Sequence, residues 1–265
     1  MKVVKVPFVN GDNSSGSALA PGKILEELKE VYTNSSGREI SSDNFVVEEI
    51  EVSKNLEASN DRIYRKCFLD YSEEERICFL GGDHSMSYAT TRSFFDYCEN
   101  NSKAPCLIVF DAHLDLMVPT NSLFPRQEEW LRGLIEDGFP IENILVVGIR
   151  NAEISELEFS RGKLKKFPIG NFLFNLEERV DAIMEFGYGK EVYVSIDFDV
   201  LDPAFAPGVN YPQPGGFSSK EFLYIFHRLN KMKNLKAIDI VEINPKYDLN
   251  NMTCKLGAKV LAEFL

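Results

Sequence analysis

The chain has 265 residues, 44% hydrophobic and 26% charged, the proportions of an ordinary globule and a length that one large α/β domain can absorb. Its formal net charge of −12, from 29 basic and 41 acidic residues, argues against a nucleic-acid partner, which needs a basic stripe. No apolar run approaches the ~20 residues that cross a bilayer, "MKVVKVPFVNGD" lacks a signal-peptide pattern, and the scattered cysteines form no C-x-x-C, so reduced thiols in a cytoplasmic protein are expected, with no membrane partner.

In chain order, the apolar runs that read as strands are "VVKVPFV" (3–9), "FVVEEIEV" (45–52), "ICFLGG" (77–82), "CLIVFDAH" (106–113), "ILVVGI" (144–149), a weaker "KKFPI" (165–169), "VYVSIDFD" (192–199) and "KAIDIVEI" (236–243). Helical spacing fills the intervals between them. In "SSKEFLYIFHRLN", Phe222, Ile225, Phe226 and Leu229 form one apolar face, with Ser218 as N-cap and Glu221 completing a capping box. His227 falls beside that face, at the surface or its boundary. The polar stretch 33–44 reads as a connection, not a boundary, so one domain over 1–265 is expected. Alternation of this kind predicts an α/β fold with a parallel sheet covered by helices on both sides.

Ligands of such sheets bind beyond the carboxyl ends of the strands. Four strands end there in acids and histidines. "ICFLGGDHS" ends in Asp83 and His84, and "LIVFDAHLD" in Asp111, His113 and Asp115. "VYVSIDFDVLDP" ends in Asp197 and Asp199 with Asp202 beyond, and "AIDIVEINP" in Glu242. Residues two apart on an extended chain point the same way, so Asp111 shares a direction with His113, and Asp197 with Asp199. Asp115 joins them if the chain turns after the strand.

His84, Asp111, His113, Asp115, Asp197 and Asp199 amount to four carboxylates and two imidazoles, a charge that two divalent ions balance. Oxygen-rich ligation with two imidazoles and no thiolate suits two Mn2+, with Co2+, Ni2+ or Zn2+ as replacements. Two such ions about 3.5–4 Å apart lower the pKa of a shared water and make a hydroxide nucleophile for a planar carbon or a phosphoryl group. A dimetal phosphoesterase would want G-N-H downstream of D-x-H, and a zinc deacetylase a His-His pair; the chain has neither.

"GGDHS", "FDAHLD", "SIDFDVLDPAFAPG" and "DIVEINP" resemble the four signature segments of the ureohydrolases: arginase, agmatinase, formimidoylglutamase and relatives. The resemblance implies a three-layer α/β/α domain with a mostly parallel eight-stranded sheet and a binuclear manganese centre. It also implies hydrolysis of a cationic guanidino substrate with release of urea, and assembly into homotrimers or homohexamers. One ion would take His84, Asp111, Asp115 and Asp197; the other would take His113, Asp111, Asp197 and Asp199, with Asp111 and Asp197 bridging. Glu242 matches the acid that accepts hydrogen bonds from the guanidinium, and with Asp115 is a candidate catalytic residue. Asp83 and Asp202 fall where partners of a ligating histidine or of backbone amides are expected.

The chain departs from the family pattern in one loop. A proton-shuttling histidine is expected there, but in "FPRQEEWLRG" Gln127 stands in its place, and glutamine does not titrate. Gln127 and Arg126 are candidate substrate-binding residues, and Trp130 reads as core. The loop 116–126 lacks the polar pattern with which arginases read an α-amino acid, and "VNYPQPGG" (209–216) is nearer to the agmatinase-like "TPEPGG", with Gln213 in place of an acid. The expected activity is therefore agmatinase-like. Arginase or formimidoylglutamase activity, or a metal-binding relative with little turnover, are the alternatives.

Overall fold

The eight apolar runs become eight strands in the computed structural model, which describes residues 1–265, the side chain of Ser42 excepted. They are β1 (Lys2–Val6), β2 (Val46–Glu49), β3 (Ile77–Gly81), β4 (Pro105–Phe110), β5 (Ile144–Val147), β6 (Lys165–Phe167), β7 (Glu191–Asp197) and β8 (Leu235–Val241). All pair in parallel, in the spatial order β2-β1-β3-β8-β7-β4-β5-β6. The two weakest runs lie at the two edges. An edge strand needs one partner and one covered side, so β2 tolerates exposed Val46 and Val47, and β6 needs only three residues.

Eight helices pack on this sheet: α1 (Ala20–Leu28), α2 (Leu56–Glu73), α3 (Met86–Asn100), α4 (Trp130–Glu136), α5 (Ile154–Ser160), α6 (Leu176–Phe186), α7 (Ser219–Leu229) and α8 (Met252–Phe264). Period-two alternation assigns the faces. Cys106, Ile108 and Phe110 of β4 join Ile24, Val180, Phe222, Phe226 and Val260 in one core, under α1, α6, α7 and α8. Leu107 and Val109 join Ile63, Cys67, Phe94 and Leu131 in the other, under α2, α3 and α4. This three-layer α/β/α arrangement is the one expected. Ser218 and Glu221 close a reciprocal capping box at α7, whose buried residues are Phe222, Ile225, Phe226 and Leu229. All five cysteines are free and buried. The 33–44 connection is pinned to α8 and α7: Ser35 N donates to Glu263 at 2.9 Å and its hydroxyl meets His227 Nδ1 at 2.7 Å. Among the described residues, no helix is long and apolar enough to cross a membrane.

The strands that end in acids and histidines are β3, β8, β7 and β4, four immediate neighbours at the middle of the sheet. Neighbouring strands lie about 4.8 Å apart, so their ends deliver side chains into one small volume. Leu80 pairs with Ile240, Ile196 with both Ile240 and Phe110, and Asp197 with Val241, which brings all four ends level.

The turn after β3 depends on close approach. A Cβ on Gly82 would lie 2.1 Å from the carbonyl oxygen of Phe8, a backbone atom with little freedom to retreat. Gly82→Ala should therefore cost about 1–3 kcal/mol in urea denaturation, the usual penalty for overpacking; an unchanged midpoint would show that the β1 end moves aside freely.

Candidate metal centre

The chain leaves β4 through Asp111 and His113 and turns at Asp115, whose φ of 51° is left-handed. That turn brings Asp115 back under the sheet rim. His84 Nδ1 then lies 3.2 Å from Asp111 Oδ2, 3.0 Å from Asp115 Oδ2 and 3.2 Å from Asp197 Oδ2. His113 Nδ1 lies 2.8 Å from Asp199 Oδ2 and 3.6 Å from Asp111 Oδ1. Asp111 thus turns one oxygen to each imidazole. Asp197 turns Oδ2 to His84, while its Oδ1 accepts from the Asp199 amide at 2.7 Å.

Two groups of these side chains have metal-ligand spacing: His84 with Asp111 and Asp115, and Asp111 with His113 and Asp199. His84 Nδ1 and Asp111 Oδ2 are buried without a hydrogen-bond partner, a costly arrangement for isolated polar atoms and the expected one for atoms that face a cation. The donor set is all oxygen and imidazole nitrogen, which fits a hard or borderline divalent metal.

Electrostatics point the same way. Burial works against a charge on His84, yet Asp111, Asp115 and Asp197 hold its imidazole protonated well above the ordinary range. His113, against its own burial, is pushed up to about 12 by Asp111 and Asp199. Burial and then the charge of Asp111 push the Asp115 carboxyl up to about 7. Asp197 is raised by burial and then by Asp199 and Asp111. Burial also opposes ionisation of Asp111, but His113 and His84 hold its carboxyl below the usual range.

Each imidazole has its second nitrogen engaged. His84 Nε2 meets Ser195 Oγ at 2.9 Å, and that hydroxyl donates to Asp239 Oδ1 at 2.7 Å. Asp239 also accepts from Ser87 and Tyr193, so it is fully held within the core. His113 Nε2 meets the Gln213 amide at 3.2 Å. Trp130 is buried as expected of a core residue, but its Nε1 also donates to Asp115 Oδ2 at 2.9 Å and its ring centroid lies 4.6 Å from that of His84. Sequence reasoning missed Ser195, Asp239 and this use of Trp130. Ser195 is visible two residues before Asp197, and so on its side of the strand; no sequence signal joins Asp239 to it.

Glu242 is buried with a φ of 66°, its Oε1 accepting from His84 N at 2.7 Å and its Oε2 from Asn210 Nδ2 at 2.7 Å. Burial and then the charge of Asp83 raise its carboxyl well above the usual range. Asp83 gathers the amides of Asn10 and Gly11 with the hydroxyls of Ser14 and Ser85, and Asp202 the amides of Ala204 and Gly215. Both hold backbone loops, not ligating histidines.

A cavity of about 340 Å³ opens over the cluster. Gln127 lines it, 8% exposed, beside Glu128, Tyr211 and Asp12. Arg126 does not line it; its guanidinium pairs with Asp12 at 3.0 Å on the exposed side of the loop.

A sequence model of the Arginase family matches residues 1–265. "Arginase 1, mitochondrial" of Oryza sativa subsp. indica is 31% identical over 274 aligned positions, covering 96% of this chain and 77% of that one. "Agmatinase" of Bacillus subtilis (strain 168) is 32% identical over 192, covering 70% and 61%. The crystal structure of formimidoylglutamase from Bacillus subtilis subsp. subtilis str. 168 superposes with a TM-score of 0.88 at 24% identity, covering 99% of this chain and 85% of that one. The likeness is to three different activities on one fold. The chain belongs to the arginase family.

Imidazole ligates only when its nitrogen lone pair is free, so metal must displace the protons held on His84 and His113, and that on Asp115 where it is protonated. Their raised pKa values mean that this displacement becomes harder as pH falls. Titrating Mn2+ into metal-free protein at pH 7 in two buffers of different ionisation enthalpy should reveal net proton release and an affinity that rises with pH. Equal heats in both buffers would mean that the ions bind elsewhere.

Proposed function

We propose that the protein is an agmatinase-like hydrolase that cleaves a guanidino carbon–nitrogen bond and releases urea, using two divalent ions, best Mn2+, held by His84, Asp111, His113, Asp115, Asp197 and Asp199. The observation that carries the substrate class is the charge of the cavity wall. Asp12, Glu128, Glu153 and Glu156 line it beyond the cluster, and no lysine or arginine does among the described residues. Arg126 is paired with Asp12, and the Arg150 guanidinium is turned to backbone carbonyls. A substrate ending in carboxylate, as arginine and formimidoylglutamate do, finds no counter-charge there. A substrate whose far end is an ammonium finds several acids, of which Glu128 is half-buried with its carboxyl raised by that burial.

The bound ions supply Lewis acidity and lower the pKa of water. The chain's own residues orient the substrate. The Glu242 carboxylate spends one bond on each oxygen, to His84 N and to Asn210, which leaves lone pairs for the planar fork of a guanidinium. The left-handed backbone at Glu242 aims that carboxylate out of the sheet rim toward the cavity. Trp130 and its own turn hold Asp115 against the cluster. The amine product leaves readily only when protonated, and the wall residue in the family's shuttle position is Gln127, which holds no proton to give. The same residue favours a second reading: a family member that binds its ions and turns over very little.

Metal-loaded protein offered agmatine, arginine, guanidinobutyrate, guanidinopropionate and formimidoylglutamate should release urea fastest from agmatine. Preference for arginine would overturn the reading of the wall, and no product from any substrate would favour the second reading. Gln127→His should raise kcat on the best substrate, within the ~10²–10⁴-fold that general acid–base help supplies, and leave metal content unchanged. An inert substitution would assign the proton to another wall group, with Glu128 and Tyr211 the nearest in kind.

A further inference from the structure

The two imidazoles of the cluster are backed by different chemistry. Behind His84 stands a carboxylate, reached through one hydroxyl: Nε2 to Ser195 Oγ at 2.9 Å, then Oγ to Asp239 at 2.7 Å, all buried. Behind His113 stands a neutral amide, Gln213, at 3.2 Å, and the His113 side chain is 25% exposed against 1% for His84. Both rings turn Nδ1 to the carboxylates, so a ligated ring carries its hydrogen on Nε2 and needs an acceptor there. As placed, Gln213 turns Nε2 to the ring at 3.2 Å; a half-turn of the amide about its last bond puts its oxygen there instead, the acceptor that a ligated His113 needs.

The backbone under Gln213 is built to hold it. Arg150 donates to Gln213 O at 2.7 Å through Nη2 and at 3.2 Å through Nε. Nη2 also reaches Asp199 O and Leu201 O, Nε also reaches Pro214 O, and Nη1 reaches Gly148 O and Val200 O. One guanidinium therefore ties the 209–216 loop to the turn that carries Asp199. Gln213 and Asp199 are fixed relative to one another by a residue that spends its hydrogen bonds on the backbone of their two loops.

We propose that Gln213 is the positioning residue of the His113 half of the centre: its amide oxygen fixes the ligating tautomer of His113 and, being uncharged, sets a lower affinity for the ion there than a carboxylate would. This rests on the reading that the cluster holds two ions, and does not depend on the substrate.

The test is a Mn2+ titration of metal-free protein followed by the electron paramagnetic resonance of free Mn2+, on wild type, Gln213→Leu, Gln213→Glu and Ser195→Ala. Wild type should bind two ions in two steps. Gln213→Leu should weaken one step by roughly 10–100-fold, the usual loss when the partner of a ligating histidine is removed, and Gln213→Glu should tighten that same step. Ser195→Ala should weaken the other. With three histidines in the chain, the side-chain nitrogen spectrum of the zinc-loaded protein should resolve His113 and show its Nε2–H altered in both Gln213 variants, with His84 unmoved. If Gln213→Leu does not fold, failure of Gln213→Glu to tighten either step overturns the assignment alone. So does a Gln213 effect on the step that Ser195→Ala moves. A single ion bound by wild type overturns the two-ion reading and this assignment with it.

Discussion

Four carboxylates buried around two imidazoles cannot all be ionised in a medium poorer than water unless positive charge is supplied among them. That constraint organises the rest of the molecule. The residues concerned are spread from His84 to Asp199 in the chain, yet their oxygens and nitrogens approach to about 3 Å. Only a parallel sheet in which β3, β8, β7 and β4 are neighbours brings the ends together, and only the helices on both faces keep water from screening them. The sheet gains its stability from its two apolar cores, and the rim carries an electrostatic demand that those cores do nothing to relieve. Protons can meet the demand, as the raised imidazoles indicate, but divalent cations meet it more completely because each brings two charges to atoms already aimed at it.

The rim also holds backbone strain. Asp115 and Glu242 are both in the left-handed region, at φ of 51° and 66°, and each such residue costs on the order of 1 kcal/mol or more. Aspartate accepts this conformation more readily than most residues; glutamate has no such local compensation. Each turn re-aims a carboxylate that a straight strand or loop would point elsewhere. Asp115 swings to His84, where the Trp130 indole holds it, and Glu242 to the amide of His84 and the side chain of Asn210. The hydrogen bonds that lock these turns come from three separate segments, so the geometry persists against the strain.

Much of this is legible in the order of residues alone. Apolar runs locate all eight strands, and the i, i+2 pairs at their ends do meet in the cluster, though Asp199 joins Asp197 through the short 3-10 turn Phe198–Val200 and not through extended chain. The capping box at Ser218 and Glu221 is readable because it is local. What is not legible depends on contacts between distant segments. Strand order is one such property, and with it the meeting of Ser195 on β7 with Asp239 on β8. Trp130 has the pattern of a core residue and is one; its second use needs the turn at Asp115, which no spacing announces. Arg126 is a candidate for substrate binding because a guanidinium can meet a substrate carboxylate, but its charge is paired with Asp12 at 3.0 Å, a partner that no sequence spacing announces.

The departures from the family pattern are both amides. Gln127 lies in the cavity wall and Gln213 behind His113. A primary amide offers one acceptor oxygen and an NH2 donor but contributes no charge and no titration. At Gln127 this leaves the wall's polarity in place while removing a proton carrier. At Gln213 it puts an uncharged amide 3.2 Å from His113 Nε2, withholding a negative charge from an already acidic centre. Arg150 clamps the backbone carbonyl of Gln213, and Gln127 is buried beside Gly11 with its Oε1 left without a hydrogen-bond partner. Gly11 has no room for a Cβ, which would lie 2.2 Å from the Gln127 oxygen, so the wall is shaped around this side chain. The charge of the site is thereby carried by the carboxylates of the cluster and by Asp12, Glu128, Glu153 and Glu156 in the wall, and neither glutamine adds to it.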